Sequence, residues 1–189
     1  MTISNINICQ LQTDISSNTF IIFNTELFYF KLLVLVFDPK LSKSEEEILL
    51  RINFSVESSN EEGKYPIVET SLFYFPHCPK HLTNNLLWSN WSRSQLSKLF
   101  ILCNSFESIV TNLPERLLKV EGAEFIRRVY DFVSETPVKN CYQIGDVFND
   151  TSLHSFPEEL WSEIENPETF WDRGEEPVYL EPDFEFIKN

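Results

Sequence analysis

Pro76-His77-Cys78-Pro79 lies inside SLFYFPHCPKHLTNNLLWSNW, residues 71–91, and brings two imidazoles and a thiol close together, with His81 three residues after Cys78. These are zinc donors, and a histidine beside a cysteine is also how a thiolate nucleophile is made. The spacing completes neither chemistry. Neighbouring side chains in extended backbone point to opposite sides, and no C-x-x-C or distant ligand pair supplies the rest of a tetrahedron. No metal and no catalytic residue is therefore assigned. The structural reading is a strand-to-helix turn stiffened by its two prolines. Asn84, Asn85 and Asn90 follow beside Trp88 and Trp91. Asparagine is a poor helix former, so these amides are expected to hold a turn or a ligand. The tryptophans are candidates for core or partner contacts.

Three further places carry polar groups where chemistry is done in open α/β folds. Asp38 ends an apolar run, the position from which an acidic residue accepts hydrogen bonds from a ribose. A glycine-rich turn must precede such a site, and the four glycines, Gly63, Gly122, Gly145 and Gly174, all lie downstream. Asn104-Ser105 closes the run LFILC and offers polar groups at the carboxyl edge of a sheet. Asp150 and His154 are candidates for an acid-base arrangement with an upstream residue. No G-x-S-x-G, P-loop or H-E-x-x-H pattern is present.

The elements that must position these groups can be read from the patterning. KLLVLVF, residues 31–37, and LFILC, residues 99–103, are continuous apolar runs, as expected of strands buried on both faces. Ser44 to Glu47 reads as a capping box opening a helix that ends near Arg51. A brief strand over 54–57, a polar loop over 58–66 and a strand over 70–75 follow. HLTNNLLWSNW reads as a helix with one buried face, and Ser92 with Gln95 as a second capping box. Ile126, Val129, Tyr130 and Val133 make a helical stripe, so 114–135 is expected to be largely helical, with a break or a kink at Gly122. Helix and strand alternate through short links, the pattern of βαβ units.

Charge narrows the partners. The chain has 189 residues, enough for one domain, and a net charge of −14. That charge disfavours nucleic acid, because phosphates are repelled where no basic patch is present. Eleven acidic residues crowd 156–189 against Arg173 and Lys188, which reads as a solvated wrapping segment. Cys9, Cys78, Cys103 and Cys141 are widely spaced, which fits free thiols in a reducing cytoplasmic or nuclear compartment. The longest apolar run, 20–37, contains Asn24, Glu26 and Lys31, each costly in hydrocarbon, so no membrane span is expected.

Several fragments in order, VFDPKLSKSEEEIL, SNEEGK, TSLFYFPHCPKHLTNNLLWSNW, LFILCNSF and DVFNDTSLHSFP, resemble the Sensitivity-to-Red-light-Reduced family, especially its animal SRR-like members. The resemblance covers roughly 36–157, with a weaker echo in GEEPVYLEPDFEFI. It implies a Rossmann-like α/β domain and a regulatory role: light input to the circadian clock in plants, clock-gene expression and heme biosynthesis in animals. Catalysis does not come with it. The family carries a glycine-bearing strand-turn-helix ahead of the Asp-Pro motif, whereas this chain has no matching glycine, so a divergent or shortened amino-terminal unit is expected.

The expected fold class is α/β, Rossmann-like, with a mainly parallel sheet flanked by helices. Residues 1–19 are poorly specified, 20–157 form the domain, and 158–189 wrap it. The expected function is that of a regulator in a clock-input pathway. It has no cofactor, acts through a protein partner, and has a small-molecule ligand as the second option. The alternative is a nucleotide- or S-adenosylmethionine-binding enzyme with a degenerate site. Asp38, His77, Cys78, Asn84, Asn85, Asn90, Asn104, Ser105 and Asp150 are the polar candidates for shaping a pocket or its turns, and Trp88 and Trp91 those for a partner.

Overall fold

The computed structural model describes residues 20–25, 32–139 and 148–179. Cys9 and Cys141 lie outside the described residues, as do the segment 1–19 and the chain beyond 179. A seven-stranded mixed sheet forms the centre, in the order β3-β2-β1-β4-β5-β7-β6. Its strands are β1 (Phe20–Thr25), β2 (Leu32–Phe37), β3 (Ser55–Val56), β4 (Ser71–Tyr74), β5 (Leu99–Asn104), β6 (Ser134–Pro137) and β7 (Thr151–Ser155). The helices are α1 (Lys43–Arg51), α2 (Lys80–Ser89), α3 (Arg93–Leu96), α4 (Phe106–Asn112), α5 (Glu115–Leu118), α6 (Glu124–Val129) and α7 (Pro167–Trp171).

The α/β class holds, but the mainly parallel sheet does not. β2 with β3 and β4 with β5 are parallel; β1 pairs antiparallel with β2 and β4, as do β5 with β7 and β7 with β6. An uninterrupted apolar run reports burial of both faces and says nothing of strand direction. LFILC meets that condition inside a mixed sheet, whereas β2 does not: Val34 and Val36 are buried on one face while Leu33, on the other, is 50% exposed.

Alternation along β4 and β5 sorts the core. Phe73, Ile101 and Cys103 point into the large cluster with Leu86, Leu87, Trp91, Phe106, Phe125 and Ile126, while Tyr74 and Leu102 join Val34 and Val36 on the other face. Thus α2 and α6 lie against one face, and Leu49 of α1 packs on the other.

The capping box of α1 uses Ser42 and Glu45 rather than Ser44 and Glu47: the Ser42 amide donates to Glu45 Oε2 at 2.8 Å. Ser92 does not cap α3 through its side chain; its hydroxyl donates to Gln95 Oε1 at 2.9 Å. The long helix expected over 114–135 is two short ones. Gly122, at φ +69°, separates α5 from α6, and β6 begins at Ser134. Helix α2 is buried on more than one face, with Thr83, Asn84, Asn85, Leu86, Leu87 and Ser89 all inside, because loops cover the side turned away from the sheet. Among the described residues no helix is long and apolar enough to cross a membrane.

Candidate functional site

Three chain turns meet at the carboxyl edge of β2, β4 and β5. Asp38 follows β2, and its Oδ1 accepts from the Lys40 amide at 2.8 Å, closing a tight turn ahead of α1. After β4 comes the proline-flanked turn, where His77 adopts φ +51°, a left-handed conformation that costs a non-glycine residue energy. Cys78 is buried there, its Sγ 3.6 Å from the Pro76 carbonyl. Burial first, and the charge of Asp38 second, push its thiol up to about 12. That opposes a thiolate nucleophile. After β5, Ser105 caps α4 by accepting from the Ser108 amide at 3.0 Å, and its own amide donates to the Asp150 carbonyl at 2.9 Å. Asp150 is also left-handed, at φ +58°, and Asn104 beside Ser105 is partly exposed.

His154 sits one strand away with no exposed surface. Its partner is Glu135, directly opposite on β6, with Nε2 3.5 Å from Oε2. Asp150, in the turn ahead of β7, forms no hydrogen bond or ion pair with His154. The imidazole stacks on Phe106 at 3.8 Å between centroids, and its Nδ1 lies 3.2 Å from the Ile101 carbonyl and 3.6 Å from Cys103 Sγ. Burial alone would raise the Glu135 carboxyl. Hydrogen bonds from His154 and Ser105, the His154 charge and the Glu107 amide outweigh it and hold the group at about 2. Burial pushes the Cys103 thiol well up. Because the Ser105 hydroxyl meets the carboxylate rather than the imidazole, the hydroxyl-imidazole-carboxylate order of a serine nucleophile is not formed. The network ties β5, β6, β7 and α4 together. Sequence spacing missed Glu135 because SETP follows a helical stripe; only the register of β6 on β7 sets it opposite His154.

The asparagines do something else. Asn90, with no exposed surface, accepts from the Ile67 amide at 2.8 Å and donates to the Tyr65 carbonyl at 2.8 Å and the Leu86 carbonyl at 2.9 Å. Asn84 accepts from the Phe125 amide at 2.7 Å, and Asn85 donates to the Glu62 carbonyl at 2.8 Å. Asn90 and Asn85 satisfy main-chain groups of the loop ahead of β4, and Asn84 one of the free amides in the first turn of α6. His81, one turn earlier, is buried against the Tyr179 ring at 5.4 Å. Burial and then Lys80 lower its pKa to about 4. His77, Cys78 and His81 therefore face different surroundings, and no three His, Cys, Asp or Glu side chains among the described residues form a metal-binding group.

Trp91 is nearly buried and is covered by the chain's own carboxy-terminal segment. Its indole donates to the Phe170 carbonyl at 2.6 Å, and its ring meets Phe125 at 4.8 Å and Phe170 at 5.2 Å. Arg128 lies 4.7 Å over Trp91, and it donates to the carbonyls of Phe170 and Asp172 near the end of α7. Arg173 lies 4.8 Å over Trp88. The acidic segment thus holds to the domain through aromatic rings, three arginines, with Arg93 over Trp171, and the Lys64–Glu176 ion pair.

Comparison with known proteins agrees with this chain's own pattern. The model of the SRR1 domain matches residues 11–155. An SRR1-like protein of Drosophila melanogaster is 38% identical over 139 residues, covering 74% of this chain and 48% of that protein. An SRR1-like protein of Mus musculus is 41% identical over 100 residues, covering 52% of this chain and 40% of that protein. The Arabidopsis thaliana protein SENSITIVITY TO RED LIGHT REDUCED 1 is 34% identical over 133 residues, covering 68% of this chain and 47% of that protein. The chain thus spans less than half the length of each of these relatives, and no solved structure matches it. With the domain model running from residue 11 through β7, the chain belongs to the SRR1 family.

Proposed function

We propose that this chain is a regulatory protein in a light- or clock-input pathway and acts by binding a protein partner or small ligand at the carboxyl edge of its sheet. The observation that carries this reading is the meeting there of Asp38, the His77 turn, Asn104-Ser105 and Asp150, with two non-glycine residues held left-handed at φ +51° and φ +58°. Strained backbone gathered at one edge of a sheet is characteristic of binding sites. The buried, protonated thiols of Cys78 and Cys103 favour binding over nucleophilic catalysis. The name of the plant relative, which refers to red-light sensitivity, supports the pathway assignment. Clock-gene expression and heme biosynthesis are the outputs proposed, in cytoplasm or nucleus.

The test is complementation. In cells lacking their own SRR1-like protein, the chain should restore the rhythm of a clock-gene reporter, and the folded double variant His77→Gly with Asp150→Gly should not. A reporter that ignores the unaltered chain overturns the pathway assignment; full activity of the double variant overturns the edge as the site.

A second reading rests on Asp38, which ends β2 at the same edge: a nucleotide- or S-adenosylmethionine-binding enzyme in which its carboxylate meets a ribose. Calorimetry with S-adenosylmethionine, NAD and ATP at millimolar ligand decides it. Heat that disappears in Asp38→Ala favours it, and no heat with any of the three removes it.

A further inference from the structure

Tyr179 is the place where the carboxy-terminal segment is buttoned to α2. Its hydroxyl donates to Asn85 Oδ1 at 2.6 Å and accepts from Asn84 Nδ2 at 3.0 Å. The same two asparagines reach the Phe125 amide and the Glu62 carbonyl, so one phenol closes a hydrogen-bond chain through four segments of the molecule. The ring lies beside His81, over Gly122, where an added Cβ would come within 2.8 Å of Tyr179 Cε1. That glycine is what gives the ring its room.

The flanking chain is built differently. Asp172 to Glu176 are exposed, and Val178 retains 82% of its surface. The local sequence Glu175-Glu176-Pro177-Val178-Tyr179-Leu180-Glu181 is acidic and extended-favouring, the chemistry that many tyrosine kinases accept. Besides this button the segment holds through partly exposed contacts, Glu176 to Lys64 and Arg173 over Trp88, and such contacts open locally at modest cost.

We propose that Tyr179 is a phosphorylation site and that its modification releases the carboxy-terminal segment from α2. A kinase transfers the terminal phosphoryl group of a nucleoside triphosphate to Tyr179 Oη. The new Oη–P bond replaces the bond to the departing nucleoside diphosphate, and the phenolic proton passes to the kinase base. The product cannot return to its seat. Once esterified, Oη has no proton to give Asn85 Oδ1, and the phosphate it carries has a charge of about −1.5 to −2. It would also face the charges of Glu124, Glu62 and Glu176, which already act on this hydroxyl. Release uncovers His81, Asn84 and Asn85, a polar face that the folded segment otherwise occupies. This inference goes beyond the proposed function and does not depend on it.

The experiment uses a tyrosine kinase selected because it phosphorylates a free peptide of residues 172–185. The whole chain is treated with that kinase and magnesium ATP, the modified residue is mapped by mass spectrometry, and cleavage after Glu175 and Glu176 by a glutamate-specific protease is timed. Phosphate is expected at Tyr179, followed by cleavage about tenfold faster than in the untreated chain, as loss of the two hydrogen bonds implies. Tyr179→Phe keeps the ring and should show no kinase-dependent acceleration. Failure of the folded chain to accept phosphate at Tyr179, while the peptide does, overturns the proposal. So does a phosphorylated chain cleaved no faster than before.

Discussion

The carboxyl edge of the sheet and the outer face of α2 both gather amides and a histidine, yet the two regions use them differently. On α2 each asparagine completes hydrogen bonds for a named stretch of backbone: Tyr65 and Ile67 at Asn90, Glu62 at Asn85, Phe125 at Asn84. At the sheet edge Asp38 and Ser105 close short turns on the amides of Lys40 and Ser108, and the backbone is left-handed at His77 and Asp150, as it also is at Glu62 in the loop that Asn85 holds. The difference is one of range: the α2 amides satisfy main chain 23 to 41 residues away and tie distant segments together, whereas Asp38 and Ser105 close turns two and three residues long.

That contrast can be broken most forcefully at Trp91. Trp91→Ala removes a buried ring stacked among Phe125, Phe170 and Trp171, and should cost about 4 kcal/mol in urea denaturation. Next comes Asn90→Ala, which leaves the Ile67 amide and the Tyr65 carbonyl unpaired in the interior and should cost about 3 kcal/mol. A loss below about 1 kcal/mol for Asn90→Ala would mean that water replaces the amide, and that α2 is less closed than its hydrogen bonds imply.

Acid should then separate the two regions. His81 has a folded pKa lowered from 6.5 to about 4, so the unfolded chain takes up this proton first; its contribution is intact above pH 6.5 and lost as pH falls toward about 4. Glu135 is lowered from 4.5 to about 2, so its contribution is intact above pH 4.5 and lost on the way to about 2. Stability measured against pH should therefore lose its upper slope in His81→Gln and its lower slope in Glu135→Gln. An unchanged lower slope in Glu135→Gln would remove the carboxylate-imidazole bridge from the account. The smallest effect belongs to His77→Gly, which relieves a left-handed residue and should shift stability by less than about 1 kcal/mol while abolishing reporter rescue when combined with Asp150→Gly.

Much of the frame was legible in the residue order. The strands at KLLVLVF and LFILC, the strand before Pro76, the helix over HLTNNLLWS and the break at Gly122 all follow from apolar runs and backbone propensity acting over a few residues. The register of β6 on β7 was not legible, and with it the pairing of Glu135 with His154. Nor were the targets of Asn84, Asn85 and Asn90, since their partners lie 23 to 95 residues away along the chain.

By itself the sequence determined the α/β class, the positions of β2, α1, β4, α2 and β5 to within a few residues, the proline-stiffened turn and the family to which the chain belongs, because these depend on local propensity and on ordered motifs. Only the tertiary structure decided the direction of the strands, the closure of α2 by its asparagines and the seating of Tyr179 beside Gly122. Burial on two faces reads alike in parallel and antiparallel sheets, and a side-chain amide carries no local sign of which distant backbone it will satisfy.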